Sequence, residues 1–177
     1  MGLAIYYEIQ PSLYAFMAST YHMLRSEKEI TDPAAIERIL KEGRYAMIAL
    51  CDGEDPYVIT LSYGYSPIEK ALYFHTAKKG RKLDIIAKNP RACATVIKDM
   101  GYLQGKCSHA YSSVVLHGSI RTVTDEADKI GALGMMIDHL EEDPAPVKER
   151  LLAKRKRIEE AEILRLDIEE VHGRSGG

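Results

Sequence analysis

The sequence contains no tryptophan and only two phenylalanines, Phe16 and Phe74, so its aromatic content rests on eleven tyrosines. Its three cysteines, Cys51, Cys93 and Cys107, include no Cys-x-x-Cys pair. That excludes a disulfide-stapled scaffold and argues against zinc, although His109 lies two residues after Cys107. Cys51 and Cys93 fall in apolar stretches and read as small core residues. Three cysteines and no secretory pattern point to a reducing cytoplasm, and no apolar run is long enough to cross a bilayer, so no membrane partner is expected. Neither sign of charge dominates. Twenty-four Lys and Arg against 26 Asp and Glu leave a net charge of −2, and bulk charge gives no reason to expect a nucleic-acid partner. A Rossmann-type glycine motif is also missing. The stretch Gly101 to Cys107 resembles a P-loop, but it is one residue short and puts Cys107 where magnesium requires Ser or Thr. Cys107 has no base or helix N-terminus assured beside it, so a nucleophilic role has little support.

What remains is one ordinary soluble domain. A length of 177 residues suits a single core. Residues 1–22 form an apolar, Tyr-rich extension that Pro11 prevents from being one helix, and it lacks the basic start and cleavage site of a signal peptide. It reads either as a misassigned start or as an arm lying on a partner subunit. The domain proper is expected over 23–173, with a flexible tail over 174–177 and mobility already from Val171.

Within the domain, Ser26 to Gly43 reads as an amphipathic helix, with Asp32 able to cap, Pro33 suited to the first turn and Gly43 at its end. Strands are expected at Tyr45–Cys51 and Tyr57–Tyr65 around an Asp52-Gly53 turn, and at Ala71–Thr76, Arg91–Lys98 and Tyr111–Val123. Asp99 to Ala110 reads as an irregular connector, and Gly118 as the site of a bulge. Thr124 to Leu140 is expected to be a helix capped by Thr124, with an apolar stripe of Ile130, Leu133, Ile137 and Leu140. A loop over Glu141–Pro146 precedes a charged helix over Val147–Glu160, and the last strand is Ala161–Ile168. The Lys154–Arg157 run reads as a solvated helix face, because Glu159 and Glu160 follow Arg155 and Lys156 by four residues. Helices flanking a run of short antiparallel strands make the fold α+β, mainly β, a barrel or sandwich.

The most informative stretch is Ala71 to Pro90. A strand ends in the turn Ala77–Gly80, and a short helix follows until Asn89-Pro90. Lys78, Lys79, Arg81 and Lys82 therefore crowd a helix N-terminus. That end carries partial positive charge, so the cations are unfavourable there unless an anion joins them. Free N–H groups, a helix dipole and cationic side chains together make a phosphate site.

Phe74-His75-Thr76-Ala77, Gly80-Arg81-Lys82-Leu83-Asp84 and Asn89-Pro90 together resemble the FMN-binding segment of the pyridoxamine 5′-phosphate oxidase-like flavoproteins, nearest the nitroimidazole reductase branch. The resemblance spans roughly Arg25 to Gly173 and implies an antiparallel Greek-key split β-barrel that binds FMN as a homodimer. It implies that Arg81 and Lys82 hold the phosphate, with Lys79 beside them, and that His75 lines the flavin site. Thr76 would bond phosphate or ribityl, and the strand at Thr60, Leu61 and Ser62 would run under the isoalloxazine ring. Ser113 falls where oxidases of the superfamily place a flavin-contacting Gln, a departure that points away from true oxidase activity. The expected function is reduction of small planar acceptors such as nitroaromatics, with NAD(P)H as a possible donor and no catalytic residue assigned beyond His75 as a pocket residue. A non-catalytic flavin-binding or sensing protein and a pyridoxamine 5′-phosphate oxidase remain the alternatives.

Overall fold

The structure is a computed structural model that describes residues 24–177, so the N-terminal extension lies outside the described residues. The chain runs through a short 3₁₀ turn (Ser26–Lys28), β1 (Glu29–Ile30), α1 (Pro33–Glu42), β2 (Tyr45–Asp52), β3 (Asp55–Ser66), β4 (Ala71–Thr76), α2 (Arg81–Lys88), β5 (Arg91–Leu103), β6 (Ser108–Val123), α3 (Glu126–Leu140), α4 (Pro144–Leu152), α5 (Arg155–Glu160) and β7 (Glu162–Gly176). Six strands close into a ring in the order β7-β4-β3-β2-β5-β6, since β6 also pairs with β7, and β1 adds to the edge of β7. Every pairing is antiparallel. This is the expected split β-barrel with flanking helices.

Alternation decides which face each strand buries. In β2, Ala46, Ile48 and Leu50 point into the barrel while Tyr45, Met47 and Ala49 point out. The interior is filled by fully buried side chains such as Tyr63, Phe74, Leu116, Ile120 and Leu164, each worth roughly 1.5–3 kcal/mol of burial. Tyr63 keeps its hydroxyl satisfied by donating to the Leu40 carbonyl at 2.7 Å. α1 sits at this end, capped by the Asp32 carboxylate accepting from Ala34 N–H and opened by Pro33. A second, smaller apolar cluster lies on the outer face of β4 and β7, where Ala71, Tyr73 and Ile163 meet Ala132 and Met136 of α3. α3 can lie this close because Gly64 has no side chain: a Cβ there would stand 2.9 Å from the Met136 Cα.

Several expected boundaries shift. The helix expected from Ser26 is a 3₁₀ turn and a two-residue strand before α1 begins at Pro33. Asp99–Ala110 is no loose connector: β5 and β6 continue as a long hairpin with an irregularity between Asp99 and Tyr102. The cap of α3 is Asp125, which accepts from Asp128 N–H, and not Thr124. Ile130 is exposed, and Ala132, Gly134 and Met136 join Ile137 on the buried face. Pro144 opens α4, so the expected loop and charged helix become two short helices. The Arg155–Glu159 and Lys156–Glu160 pairs do form. β7 runs on to Gly176, paired with β6 where a mobile tail was expected. The bulge near Gly118 is there, but the extra residue is Glu169 of β7, since His117 pairs with Glu170 and Gly118 with Ile168.

Candidate functional site

β4 pairs with β3 only between Tyr63↔Phe74 and Ser66↔Ala71. β3 itself extends back to Asp55, so along Asp55–Ser62 no strand lies on that side among the described residues. The chain leaves β4 at Thr76, makes the Ala77–Gly80 turn, and returns to β3 at Arg81. There the guanidinium lies 5.1 Å from the centre of the Tyr57 ring and Nη2 stands 3.5 Å from Asp52 Oδ2. One edge of β3 and the segment His75–Arg81 therefore bound an open slot. The strand edge offers backbone donors and acceptors to whatever enters it.

The slot is electropositive at its α2 end. Gly80 takes the N-cap position with φ of +139°, a conformation natural to glycine, and no side chain caps the helix. The N–H groups of Arg81 and Lys82 point out of an uncapped first turn. Lys78 and Lys79 are exposed, Lys82 is half-buried, and none of the three forms an ion pair among the described residues. Asp84 stands in the first turn of α2, and Asp52 reaches in from the β2–β3 turn, shared between Arg81 and Lys88, whose Nζ lies 3.8 Å from Oδ1. Sequence reasoning missed Asp52 in this role. Its signal was its place at the β2–β3 turn, but only the fold brings that turn to α2.

The expected residues divide by face. Thr60 and Ser62 lie exposed on the outer face of β3, opposite Met47 and Tyr45. Leu61 points the other way and packs on the barrel core. His75 is exposed on the outer face of β4, and continuing the β3–β4 register one step beyond Tyr63↔Phe74 brings it beside Ser62. Thr76 is buried on the inner face. Ser113 is not brought to the slot. It pairs with Ile97 and Arg174 on β6, three strands from β3, about 14–15 Å across the sheet. The outer face between them exposes Tyr45 (53%), Val58 (62%) and Ile97 (41%).

Beside His75 lies a cavity of about 440 Å³ between α3, α4, α5 and the end of β4, walled by Leu133, Met136, Ile137, Val147, Leu151 and Leu152 among others. It was not anticipated from the sequence, although Val147 and Leu151 at i, i+4 mark an apolar face.

The cysteines carry no site. Cys51 is exposed rather than buried, which corrects its reading as a core residue, and Cys93 is half-buried, with burial pushing its thiol up and away from the reactive thiolate. Among the described residues no three His, Cys, Asp or Glu side chains gather as a metal set. No helix among them is long and apolar enough to cross a membrane. A second polar cluster, Arg165 with Glu69, Tyr73 and Asp167, is internally satisfied: Arg165 donates to all three, and the Tyr73 hydroxyl donates to Glu69. Burial and that bond to Glu69 push the Tyr73 phenol up to about 12. Its groups face one another and leave little for a ligand.

Residues 32–175 match the sequence profile of the family described as pyridoxamine 5′-phosphate oxidase. The chain belongs to this family. No curated protein matches the sequence significantly. Among solved structures it is similar to a proposed 5-nitroimidazole antibiotic resistance protein from Bacteroides thetaiotaomicron VPI-5482, with 21% identity over 84% of this chain and 87% of that one and a TM-score of 0.70. It is also similar to the flavocytochrome Anf3 from Azotobacter vinelandii (20% identity, 87% and 72% covered, TM-score 0.68). A FAD-binding protein from Mesorhizobium loti is a third (24% identity, 82% and 96% covered, TM-score 0.59). At these identities the likeness to solved structures establishes the fold. This chain brings the barrel ring, the β3 edge left unpaired by β4 and the cationic turn into one place.

Proposed function

We propose that this protein binds FMN in the slot between the free edge of β3 and the turn before α2, and reduces small planar acceptors. The observation that carries the proposal is the uncapped, cation-rich N-terminus of α2 facing an unpaired strand edge. The residues fit the group. Arg81, Lys82 and Lys79 stand together at the start of α2 in sequence and would suit a phosphate, and backbone N–H and C=O groups of Thr60 to Ser62 suit a ring edge bearing both donors and acceptors. Two structural neighbours described as a flavocytochrome and a FAD-binding protein support a flavin of some kind in this fold. FMN, when bound, supplies two-electron redox chemistry.

The chain's own groups would bind and orient. Arg81 would exchange its long contact with Asp52 for phosphate oxygens, and Lys82 and Lys79 would add charge. The Thr60 and Ser62 hydroxyls and His75 would border the ring from the outer face. Thr76 points into the barrel, so its hydroxyl belongs to the turn's own packing rather than to a ligand on the outer face. Ser113 can reach a slot only from a second copy, and the exposed apolar row between Val58 and Ile97 supports a homodimer built on this face. Acceptors such as nitroaromatics, with NAD(P)H as donor, suit a wide slot with no nucleophile in it. A cytoplasmic setting follows from the same reading.

Two measurements test this. The purified protein should release FMN on denaturation and run as a dimer by light scattering at micromolar concentration. The flavin-loaded protein, reduced chemically without oxygen, should be reoxidised by nitroaromatic or quinone acceptors faster than free reduced FMN. Release of no flavin and no uptake of added FMN would sink the cofactor. Reoxidation no faster than that of free FMN would leave a flavin-binding protein without turnover.

A further inference from the structure

α4 contributes no buried residue. Its apolar side chains Val147, Leu151 and Leu152 are only half-buried, and all three line the cavity beside His75. α5 contributes Ile158 alone to the interior, and that residue lines the same cavity. Two short helices thus meet α3 at Gly134 and through the Lys148–Asp138 and Arg155–Glu126 pairs, while the apolar side chains named above line the cavity beside that contact. Their faces have no other apolar surface to meet among the described residues.

We propose that this cavity is a binding site for a neutral, largely apolar small molecule carrying one hydrogen-bond acceptor, which His75 would meet at the mouth. The volume of about 440 Å³ lies within the range of small-molecule pockets. An apolar cavity of about 150 Å³ holds one benzene ring, so there is room for fused rings with substituents and far more than a lone five-membered heterocycle needs. The lining argues against a strongly charged ligand: its charged residues, Glu141, Arg157 and Glu160, are of both signs, and the rest is mostly apolar. His75 forms no hydrogen bond among the described residues and can donate to a carbonyl or nitro oxygen.

This deepens the preceding proposal only in what the molecule does: His75 lines the cavity and is the next residue after the last β3–β4 pair, Tyr63↔Phe74, so it stands where cavity and slot meet. Binding itself does not depend on FMN. The test titrates the full chain, free of flavin, with the neutral fluorophore N-phenyl-1-naphthylamine. A saturable rise at one molecule per chain is expected. Leu152→Trp, which fills the cavity, should weaken it at least tenfold while FMN affinity and the circular dichroism melt stay as they were. Val147→Trp serves if the first variant does not fold. 2-Acetylnaphthalene should displace the probe better than 2-ethylnaphthalene, and His75→Ala should abolish that difference. Absence of saturable binding, folded filling variants that bind as the parent does, or equal displacement by both naphthalenes in the parent would overturn the proposal. Failure of FMN to bind would overturn the preceding proposal and leave this one standing.

Discussion

α3 and α2 begin in opposite ways. α3 is capped by Asp125, carries Glu126 and Asp128 in its first turn, and at its other end Arg44 donates to the carbonyls of His139 and Leu140 at 3.2 and 2.6 Å. Both ends thus have partners of the sign that the helix dipole favours. α2 starts from an uncapped glycine followed by Arg81 and Lys82, with Lys78 and Lys79 just before and Asp84 as the single acid of its first turn. The same chain meets the rule at one helix and breaks it at another. Where only stability is at stake the termini are satisfied internally. Where the terminus faces the open strand edge, the cations have no such partner at the N-cap, and an anion there is what the proposed phosphate site would supply.

That contrast can be tested at both helices. The largest effect expected is on the ligand itself: riboflavin, lacking the phosphate, should bind at least a hundredfold more weakly than FMN in a fluorescence titration. Equal affinities would mean that α2 is merely a poorly built helix. Next come Arg81→Ala and Lys82→Ala. Each removes a charge-assisted hydrogen bond of about 1.5–3 kcal/mol, hence roughly a tenfold to hundredfold loss of FMN affinity. The melting temperature without flavin should barely move, because the exposed contacts of Arg81 with Asp52 and Tyr57 are worth about 0–1 kcal/mol and Lys82 forms no ion pair among the described residues.

At α3 the pattern should reverse. Asp125→Ala is expected to cost about 1 kcal/mol of stability, or about 2–4 °C in thermal melting, with flavin affinity unchanged. Asp52→Asn probes the stand-in acid at α2. Removing a carboxylate that competes for Arg81 should tighten FMN a fewfold, since exposed ion pairs are worth about 0–1 kcal/mol. Weaker binding would mean that Asp52 orients Arg81 instead of competing for it.

The smallest effect concerns pH at the satisfied end. His139 donates through Nε2 to the Gly43 carbonyl at 2.6 Å, and burial, with the Arg44 charge, holds its pKa below the ordinary 6.5. The folded state then stays neutral where the unfolded chain has begun to take up a proton. Stability is complete above 6.5 and falls as pH drops below it, levelling off once the folded imidazole also protonates. Melts at pH 7.5 and 5.5 should show this slope, and His139→Gln should reduce it. The carboxylates held low, Glu69, Asp99 and Glu169, titrate below their ordinary 4.5 and 3.8, beneath this window.

Local chemistry was legible in the sequence wherever a few neighbouring residues decide the outcome. Alternation marked β2, β3 and β4, Asp32-Pro33 marked the start of α1, and the glycine and cations from Lys78 to Lys82 marked α2 and its charge. The family resemblance read from that turn agrees with the profile match over 32–175. Tertiary structure decided the rest. Glu169 to Gly176 are polar and glycine-bearing and have little strand propensity of their own. They form β7 because β6 offers a ladder on one side and β1 a short one on the other. The apolar face of α4 looked like any amphipathic helix until the fold left it facing a void. Asp52 could not be paired with Arg81 from sequence, and Ser113 could not be separated from Thr60 and Ser62. Both depend on which strands become neighbours, and contacts between residues far apart in sequence are set by closure of the whole ring rather than by any local pattern.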